Sequence, residues 1–576
     1  NARFEKSFLE RHFDEVDDGT KREDYQDSLF YLALLFPGRT KLNLESFICE
    51  FNLADHEMHR GFQDSLDLLK VLLLATSLVQ ENKKYYQSLI TLFNKYYLND
   101  YWFYHFLTLE ESDLLEISDQ INFDLDKYKS LYKEKKLENT VDEVNDLNWS
   151  NEFSGKNISS ILQNEEKVKS KIPAYNYRKP QESLALKVGQ CFKNDIHALV
   201  QAPTGTGKTL GYMLPASLFA VEEKKKVLIA TGTKTLQNQA ISKDVPQLNK
   251  LLGSTLKDLK VSQLVGSSNH FCELLFRETG ENSEIFSASK DFDEKFCELY
   301  FDLLFMYNAE GEITSPLTRV DIPYSLKMNI KNLKTRENEI AVDYRSCTGS
   351  KCPFKGSCTY LQGLKEAKES DIIIGNHSLM FTWPRAFPRP EYVIVDEAHR
   401  IEHEITSSFG HEITNELLKQ FIKNLQHMQG VGSLFYIMAQ LESNPGDSTE
   451  TITKIRSEVN DFIPSLIDHT TALPDLLEDF FKRKPRFTEK YWNELPMINK
   501  TNLNQELPIK IFNEIESLFT ALVSLQKTLA SYAHLVESAA NIKGNDNLII
   551  AVTRFETFTA QLDDLCLGLE KLLDED

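Results

Sequence analysis

One octapeptide limits what this chain can become more than any other stretch: Ala202-Pro203-Thr204-Gly205-Thr206-Gly207-Lys208-Thr209. The apolar run Ile196-His197-Ala198-Leu199-Val200-Gln201 stands before it and reads as a strand; Leu210 to Ala216 follows and begins like a helix. Strand, Gly-rich turn and helix are the context a phosphate-binding loop needs. Glycines let the backbone turn tightly, so successive N–H groups and a helix N-terminus face one anion. Lys208 then reaches the β- and γ-phosphates, and the Thr209 hydroxyl holds Mg²⁺. Ala202 occupies the place where the general pattern has its first Gly.

A second anchor is Glu391-Tyr392-Val393-Ile394-Val395-Asp396-Glu397-Ala398-His399. Its β-branched run predicts a strand that delivers two adjacent acids at its C-terminal end. In P-loop ATPases the first of two such acids holds Mg²⁺, and the family resemblance given below assigns that role to Asp396. Lys226 to Thr231 predicts a further strand, followed by a polar, Thr-rich turn from Gly232 to Gln239. Such a turn can meet DNA phosphates or simply cap a helix. His399 and His403 have helical spacing, but Glu402-His403-Glu404 lacks the zinc-protease arrangement.

The chain has 576 residues, enough for several domains, with 41% hydrophobic and 26% charged residues, an ordinary globular mixture. No apolar stretch is long enough to span a bilayer, so no membrane partner is expected, and a cytoplasmic location is. The first residue is Asn1 and no basic-then-apolar leader follows, so we expect no export signal and a fragment that starts inside a domain. The net charge of −21 argues against indiscriminate nucleic-acid binding but leaves room for a local basic groove. Arg319 to Lys355 is such a stretch, with eight Lys/Arg against four Asp/Glu, net +4. It suits a phosphate track or a solvated loop.

Eight Cys are scattered along the chain. Cys347, Cys352 and Cys358 lie close together with Pro and Gly between them, and Cys272 follows Ser268-Asn269-His270-Phe271. Four thiolates suit an iron–sulfur cluster or a structural zinc, and the spacing does not choose between them. Cys297 is a rival fourth ligand in a setting that reads as a helix core. Residues 83–172 are polar, helix-prone and without a motif; they read as a connector. From Ile405 onward, helical patterns dominate, clearest at Leu417–Met428, Ile509–Tyr532 and Phe555–Leu573. Phe480 to Phe487 mixes cations with aromatics, a composition that can stack bases or form an exposed loop.

The order of these motifs resembles the DinG family of bacterial DNA helicases, relatives of the XPD helicases. The likeness spans about Tyr177 to Ile405. It rests on the phosphate loop, Cys272, the Cys triplet, Asp371-Ile372-Ile373-Ile374-Gly375-Asn376-His377-Ser378-Leu379 and the Asp396-Glu397-Ala398-His399 box. The resemblance implies a RecA-like α/β lobe with a parallel sheet, an inserted [4Fe–4S] domain at about 265–365 held by Cys272, Cys347, Cys352 and Cys358, and a helical arch after the acid box. It makes Arg178 and Gln181 the adenine-side residues of an ATP site and Glu397 the group that polarises the attacking water. His399 would couple the ATP site to single-stranded or forked DNA.

Residues 1–82 are similar to the C-terminal half of a DEDDh exonuclease domain, an RNase H-like fold. Glu5 stands where an Asp is usual, and His59 precedes Asp64 by five residues. That chemistry needs four carboxylates around two metal ions, and the upstream acid pair is not in this sequence. The expected organisation is 1–82 partial exonuclease, 83–172 connector, 173–404 helicase lobe with its insertion, and 405–576 arch. ATP-driven 5′–3′ DNA unwinding is the implied activity. An exonuclease fed by a helicase-like part is the alternative, and a non-catalytic scaffold is disfavoured by intact Lys208, Asp396 and Glu397. Neither a second RecA-like lobe nor an arginine finger is recognisable, so the chain alone is expected to bind ATP weakly, to hydrolyse it slowly and not to unwind DNA.

Overall fold

In the computed structural model, residues 28–57, 61–138, 147, 149–232, 234–253, 255–257, 259–281, 291–311, 317–344, 347, 349–384, 387, 389–410, 413–426, 437, 448–482, 506–540 and 546–574 are described. The chain divides into two compact units. One comprises Asn1–Val342 and Gly356–Ile401, and the other Asp343–Lys355 and Glu402–Asp576.

The first unit holds a parallel sheet of β1 (Val227–Thr231), β2 (Val261–Gln263), β3 (Ile372–Asn376) and β4 (Tyr392–Val395), in the order β2-β3-β1-β4. Register follows from continuous pairing: Val227 lies opposite Ile372 on one side and Tyr392 on the other. The central strands are near-uninterrupted apolar runs because both faces are covered. Val227, Ile229, Ile372 and Ile374 pack into the core of the helices Lys179–Asn194, Lys208–Glu223 and Val245–Leu252. Leu228 and Ile373 point the other way, onto Leu264, Leu379, Trp383 and Phe387. This is the mostly helical α/β architecture with a parallel sheet that a RecA-like domain requires.

The predicted strand Ile196–Gln201 is not one. Leu199 is 93% exposed, and Ile196 and Val200 are about half exposed. An apolar run becomes a strand only where a neighbour completes its hydrogen bonds. Among the described residues β4 pairs with β1 alone, and its Tyr392 hydroxyl donates to Asp195 Oδ1, on the residue just before this segment, at 2.7 Å.

A second core in the same unit joins segments far apart in sequence. Tyr31, Phe47, Leu73, Phe93 and Phe103 pack with Phe271, Phe296, Tyr300 and Phe301, so the helices of 28–138 share one interior with residues 271–340. Two tyrosine hydroxyls buried in it are paired, as burial demands. The Tyr31 hydroxyl meets Thr76 Oγ1 at 2.6 Å, and that of Tyr85 donates to the Leu34 carbonyl at 2.7 Å. Residues 83–138 are therefore part of a core rather than a solvated connector.

The other unit is helical around its own core of Leu418, Phe421, Leu466, Leu518, Leu522, Leu525, Phe555, Phe558 and Leu562. The helices Asn415–Gln426, Ser448–Lys482, Glu506–Ala530 and Asp546–Asp574 supply it. His469 Nδ1 meets Glu514 Oε1 at 2.6 Å between two of them. Of the cation–aromatic stretch, Phe480, Phe481 and Lys482 end the helix Ser448–Lys482, and 483–487 lie outside the described residues. Among the described residues no helix is long and apolar enough to cross a membrane.

Candidate nucleotide site

Parallel pairing of β1 and β4 puts the acid box at the C-terminal edge of the sheet. The ladder runs one step further, with Asp396 N–H donating to the Ala230 carbonyl at 2.9 Å. Ligands bind at that edge in open α/β sheets. Three more contacts fix Asp396: its Oδ1 accepts from the Glu397 N–H at 3.0 Å, its Oδ2 from the Tyr212 hydroxyl at 3.2 Å, and its carbonyl from His377 Nε2 at 2.8 Å. Tyr212 lies on the helix Lys208–Glu223 that follows the phosphate loop.

His377 was named in the sequence only as part of a motif. It is fully buried, and its Nδ1 has no hydrogen-bond partner among the described residues. It follows β3 directly, so it ties the end of one strand to the acid box on another. Nothing in residue type or spacing announces that role.

Glu397 sits at φ 54, ψ 43, a left-handed conformation that costs a non-glycine residue about 1 kcal/mol or more. The turn points its carboxylate back at the phosphate loop, where Lys208 Nζ lies 3.0 Å from Oε1. The hydrogen bond from Lys208 is the main cause holding the Glu397 carboxyl below its ordinary range, and the charge of Lys208 adds to it. Both side chains remain about one-third exposed, so the pair is open to exchange with an incoming ligand. His399 Nδ1 lies 3.4 Å from Glu397 Oε2, and its ring is largely exposed.

The loop itself turns tightly. Gly205 and Gly207 both have φ +81, and a Cβ on Gly207 would fall 2.3 Å from Gln181 Nε2. Thr206 Oγ1 closes the turn by donating to the Pro203 carbonyl at 2.7 Å. From the helix Lys179–Asn194 and its N-cap, Gln181 Nε2 donates to the Gly207 carbonyl at 2.8 Å and Arg178 Nη1 to the Gly205 carbonyl. The loop carbonyls are thereby turned outward onto protein donors. Ala202, Pro203, Thr204 and Thr209 complete the loop, with Thr209 in the first turn of its helix.

Beside the loop lies a cavity of about 360 Å³. Arg178, Gln181, Gly207 and Thr209 line it together with Lys243, Asp244 and Gln247. The sequence reading missed the last three.

The cysteines fall into two pairs, each within its own unit. His270 Nδ1 meets Thr359 Oγ1 at 2.9 Å and the Ser357 hydroxyl donates to Glu273 Oε2 at 3.4 Å, contacts that bracket Cys272 and Cys358. In the other unit, burial raises the Cys347 thiol, and the neighbouring Cys352 adds to the shift. Cys297 is buried in the helix Phe292–Ala309, as its setting predicted. Among the described residues no group of three or more His, Cys, Asp or Glu could hold a metal ion.

Within the basic stretch, three cations are committed internally. Arg336 pairs with Glu298 at 2.8 Å and Lys327 with Glu337 at 2.6 Å; half-buried Arg319 donates to the Glu337 carbonyl at 2.9 Å. The phosphate track read from charge count is smaller than the count implies; Lys331 and Lys334 stay exposed. Glu5 and His59 lie outside the described residues. Asp64 lies in the first turn of the helix Gly61–Glu81, with a buried Oδ1 that has no partner among the described residues.

Comparison with known proteins adds independent support. A family model described as "DEAD/DEAH box helicase" matches residues 183–286. The ATP-dependent DNA helicase YoaA of Escherichia coli is 28% identical over 262 residues, 44% of this chain and 38% of that protein. The 3'-5' exonuclease DinG of Bacillus subtilis is 24% identical over 440 residues, 74% of this chain and 43% of that protein. The ATP-dependent helicase DinG of Mycobacterium tuberculosis is 28% identical over 252 residues, 42% of this chain and 37% of that protein. The matched part spans less than half the length of each of these relatives. The stretch that bears the phosphate loop matches the DEAD/DEAH box helicase model, in a chain similar to proteins named DinG and YoaA.

Proposed function

We propose that this chain is the nucleotide-binding part of an ATP-dependent DNA helicase of the DinG type, which unwinds DNA in the 5′–3′ direction. The observation that carries the reading is the Lys208–Glu397 ion pair. It joins a phosphate-loop lysine to the acid box across 189 positions, with Asp396 held beside them by Tyr212. ATP occupies the loop, with its phosphates on the N–H groups of 204–209 and on Lys208 Nζ, which leaves Glu397 as they bind. The freed Glu397 carboxylate then orients water, and Arg178 and Gln181 keep the loop in shape beside the base.

Mg²⁺ fits the donors present: a hydroxyl at Thr209 and one carboxylate at Asp396, completed by phosphate and water oxygens. When bound it neutralises charge developing on the phosphates. His399, exposed next to Glu397, is the coupling residue toward single-stranded or forked DNA. The expected domain scheme, the arch role of 405–576 and a cytoplasmic location belong to the same proposal.

The test is Lys208→Ala. It should abolish displacement of a fluorescent ATP analogue by ATP while leaving the circular dichroism unchanged; undiminished binding refutes the assignment.

Cys272, Cys347, Cys352 and Cys358 are proposed as ligands of a [4Fe–4S] cluster, supported by their order along the chain and the closeness within each pair. Four thiolates are the donor set such a cluster takes, and it would brace the inserted segment. Purified protein should contain iron and sulfide and be brown. Colourless protein with stoichiometric zinc reverses the choice.

A second reading is favoured by the longest of these alignments, to a protein named as a 3'-5' exonuclease. On it, Glu5, His59 and Asp64 are remnants or members of a nuclease site, and the motor grips and feeds DNA. In the complete protein, Asp64→Asn should then remove Mg²⁺-dependent digestion of single-stranded DNA; unaltered digestion excludes this site.

A further inference from the structure

Tyr212 joins the helix after the phosphate loop to the acid box. It lies in Lys208–Glu223, three residues beyond Thr209, so the two side chains share a helix face. The residue is 6% exposed, and a buried hydroxyl needs partners. It has them in Asp396 Oδ2, at 3.2 Å and 184 positions further along, and in the Thr209 side chain one turn back. Those two residues supply the protein oxygens that the reading above gives to Mg²⁺.

The direction of each hydrogen bond follows from the protons present. An ionised carboxylate only accepts, so the single Tyr212 proton goes to Asp396 Oδ2. The Tyr212 oxygen then accepts, and the proton between it and Thr209 is the threonine's own. Burial is the main cause that raises the Tyr212 hydroxyl above its ordinary range, and the charge of Asp396 adds to it, so the phenol keeps its proton. With its proton drawn toward Tyr212, the Thr209 oxygen keeps its lone pairs for a cation. Asp396 is oriented from both sides: Oδ1 accepts from the Glu397 N–H at 3.0 Å and Oδ2 from Tyr212. A carboxylate has about four lone-pair sites, so two such bonds leave acceptor capacity on each oxygen.

We propose that Tyr212 is a positioning residue for the divalent cation: its hydroxyl orients Thr209 and Asp396 together. This rests on the nucleotide reading above and adds a group outside the loop and the acid box. Partners of this kind fix the direction of metal ligands without touching the metal, and their loss costs about 10- to 100-fold in metal affinity. The ring of Tyr212 packs in the core of the sheet and its helices. Phenylalanine fills the same space without the hydroxyl, so one substitution separates the two tasks.

The experiment titrates a fluorescent ATP analogue into the whole chain, unaltered and as Tyr212→Phe, in excess EDTA and then at rising Mg²⁺. Affinity of the unaltered chain should increase with Mg²⁺ and give a half-effect concentration. Tyr212→Phe should keep the circular dichroism and bind in EDTA within about twofold of the unaltered chain. Its half-effect should need roughly 10- to 100-fold more Mg²⁺. Asp396→Asn, which removes a charged donor outright, marks the full loss. A half-effect within about twofold in Tyr212→Phe overturns the proposal and leaves the nucleotide reading standing, as does equal weakening with and without Mg²⁺. An unaltered chain whose affinity ignores Mg²⁺ overturns it too. If that chain binds no analogue in either condition, both proposals fall. Should Tyr212→Phe not fold, Tyr212→Leu decides by the same limits.

Discussion

Around Lys208 the charges are loosely paired, and around Asp302 they are locked. Lys208 and Glu397 are each about one-third exposed and hold one another at 3.0 Å, within reach of solvent. Asp302 is 3% exposed and receives Lys95 Nζ at 2.7 Å, the Tyr96 hydroxyl at 2.9 Å and Arg277 Nη1. The three donors come from the helix Lys83–Lys95, its C-cap and the helix Glu273–Glu281; the acid is on the helix Phe292–Ala309. It therefore pins the 28–138 region to the segment after Cys272. One cluster has Glu397 in a strained backbone and partners that can be exchanged. The other has every oxygen satisfied and nothing to exchange. The first arrangement is suited to binding and the second to holding a fold.

The contrast is broken most directly at Lys208. Lys208→Ala should reduce ATP affinity about 100- to 1000-fold, some 3–4 kcal/mol, because a charged contact is removed from a bound phosphate. The urea midpoint should hardly move, since the pair is exposed. Asp302→Ala should do the reverse. It leaves the Tyr96 hydroxyl and part-buried Arg277 facing a buried hole, while half-exposed Lys95 turns to water, and should destabilise the first unit by about 3 kcal/mol in urea unfolding. Gly207→Ala lies between. The φ of +81 alone costs about 1–2 kcal/mol in stability, and Gln181 must move, so nucleotide affinity falls as well.

Acid titration gives the smallest effect and sharpens the difference. Burial alone would raise the Asp302 carboxyl, but the hydrogen bonds and charges of Lys95 and Arg277 more than offset it and hold it below its ordinary value. A carboxyl lowered on folding contributes stability above its unfolded pKa, about 3.9, and loses it as pH falls through the folded value. The gap in stability between the unaltered chain and Asp302→Asn should therefore be full near neutrality and shrink below about pH 4. Glu397→Gln should change that profile little, because its carboxylate is partly exposed and screened.

The phosphate loop, the strands of β1 and β4 and the acid box were legible because each is local. A turn needs its glycines within a few residues, and a buried parallel strand shows itself as an apolar run. Helical character after Ile405 was legible from periodicity for the same reason. The strand expected at Ile196–Gln201 was misread because pattern alone does not supply the neighbour that a strand requires. Residues 83–138 looked like a polar connector because their apolar partners, Phe296, Tyr300 and Phe301, lie about two hundred positions away.

What the sequence determined by itself is the chemistry at hand: a lysine-tipped glycine loop, two acids at a strand end and four thiols in a set order. Those depend on residue type and short spacing, which one dimension records. Tertiary structure alone decided that Glu397 turns back onto Lys208, that His377 and Tyr212 hold Asp396, that Asp244 and Gln247 join the lining of the cavity beside the loop, and that Asp302 joins two distant segments. Each of these needs a direction for a side chain and a partner from another element. Only packing sets directions, because a helix face or strand edge is defined by what lies against it.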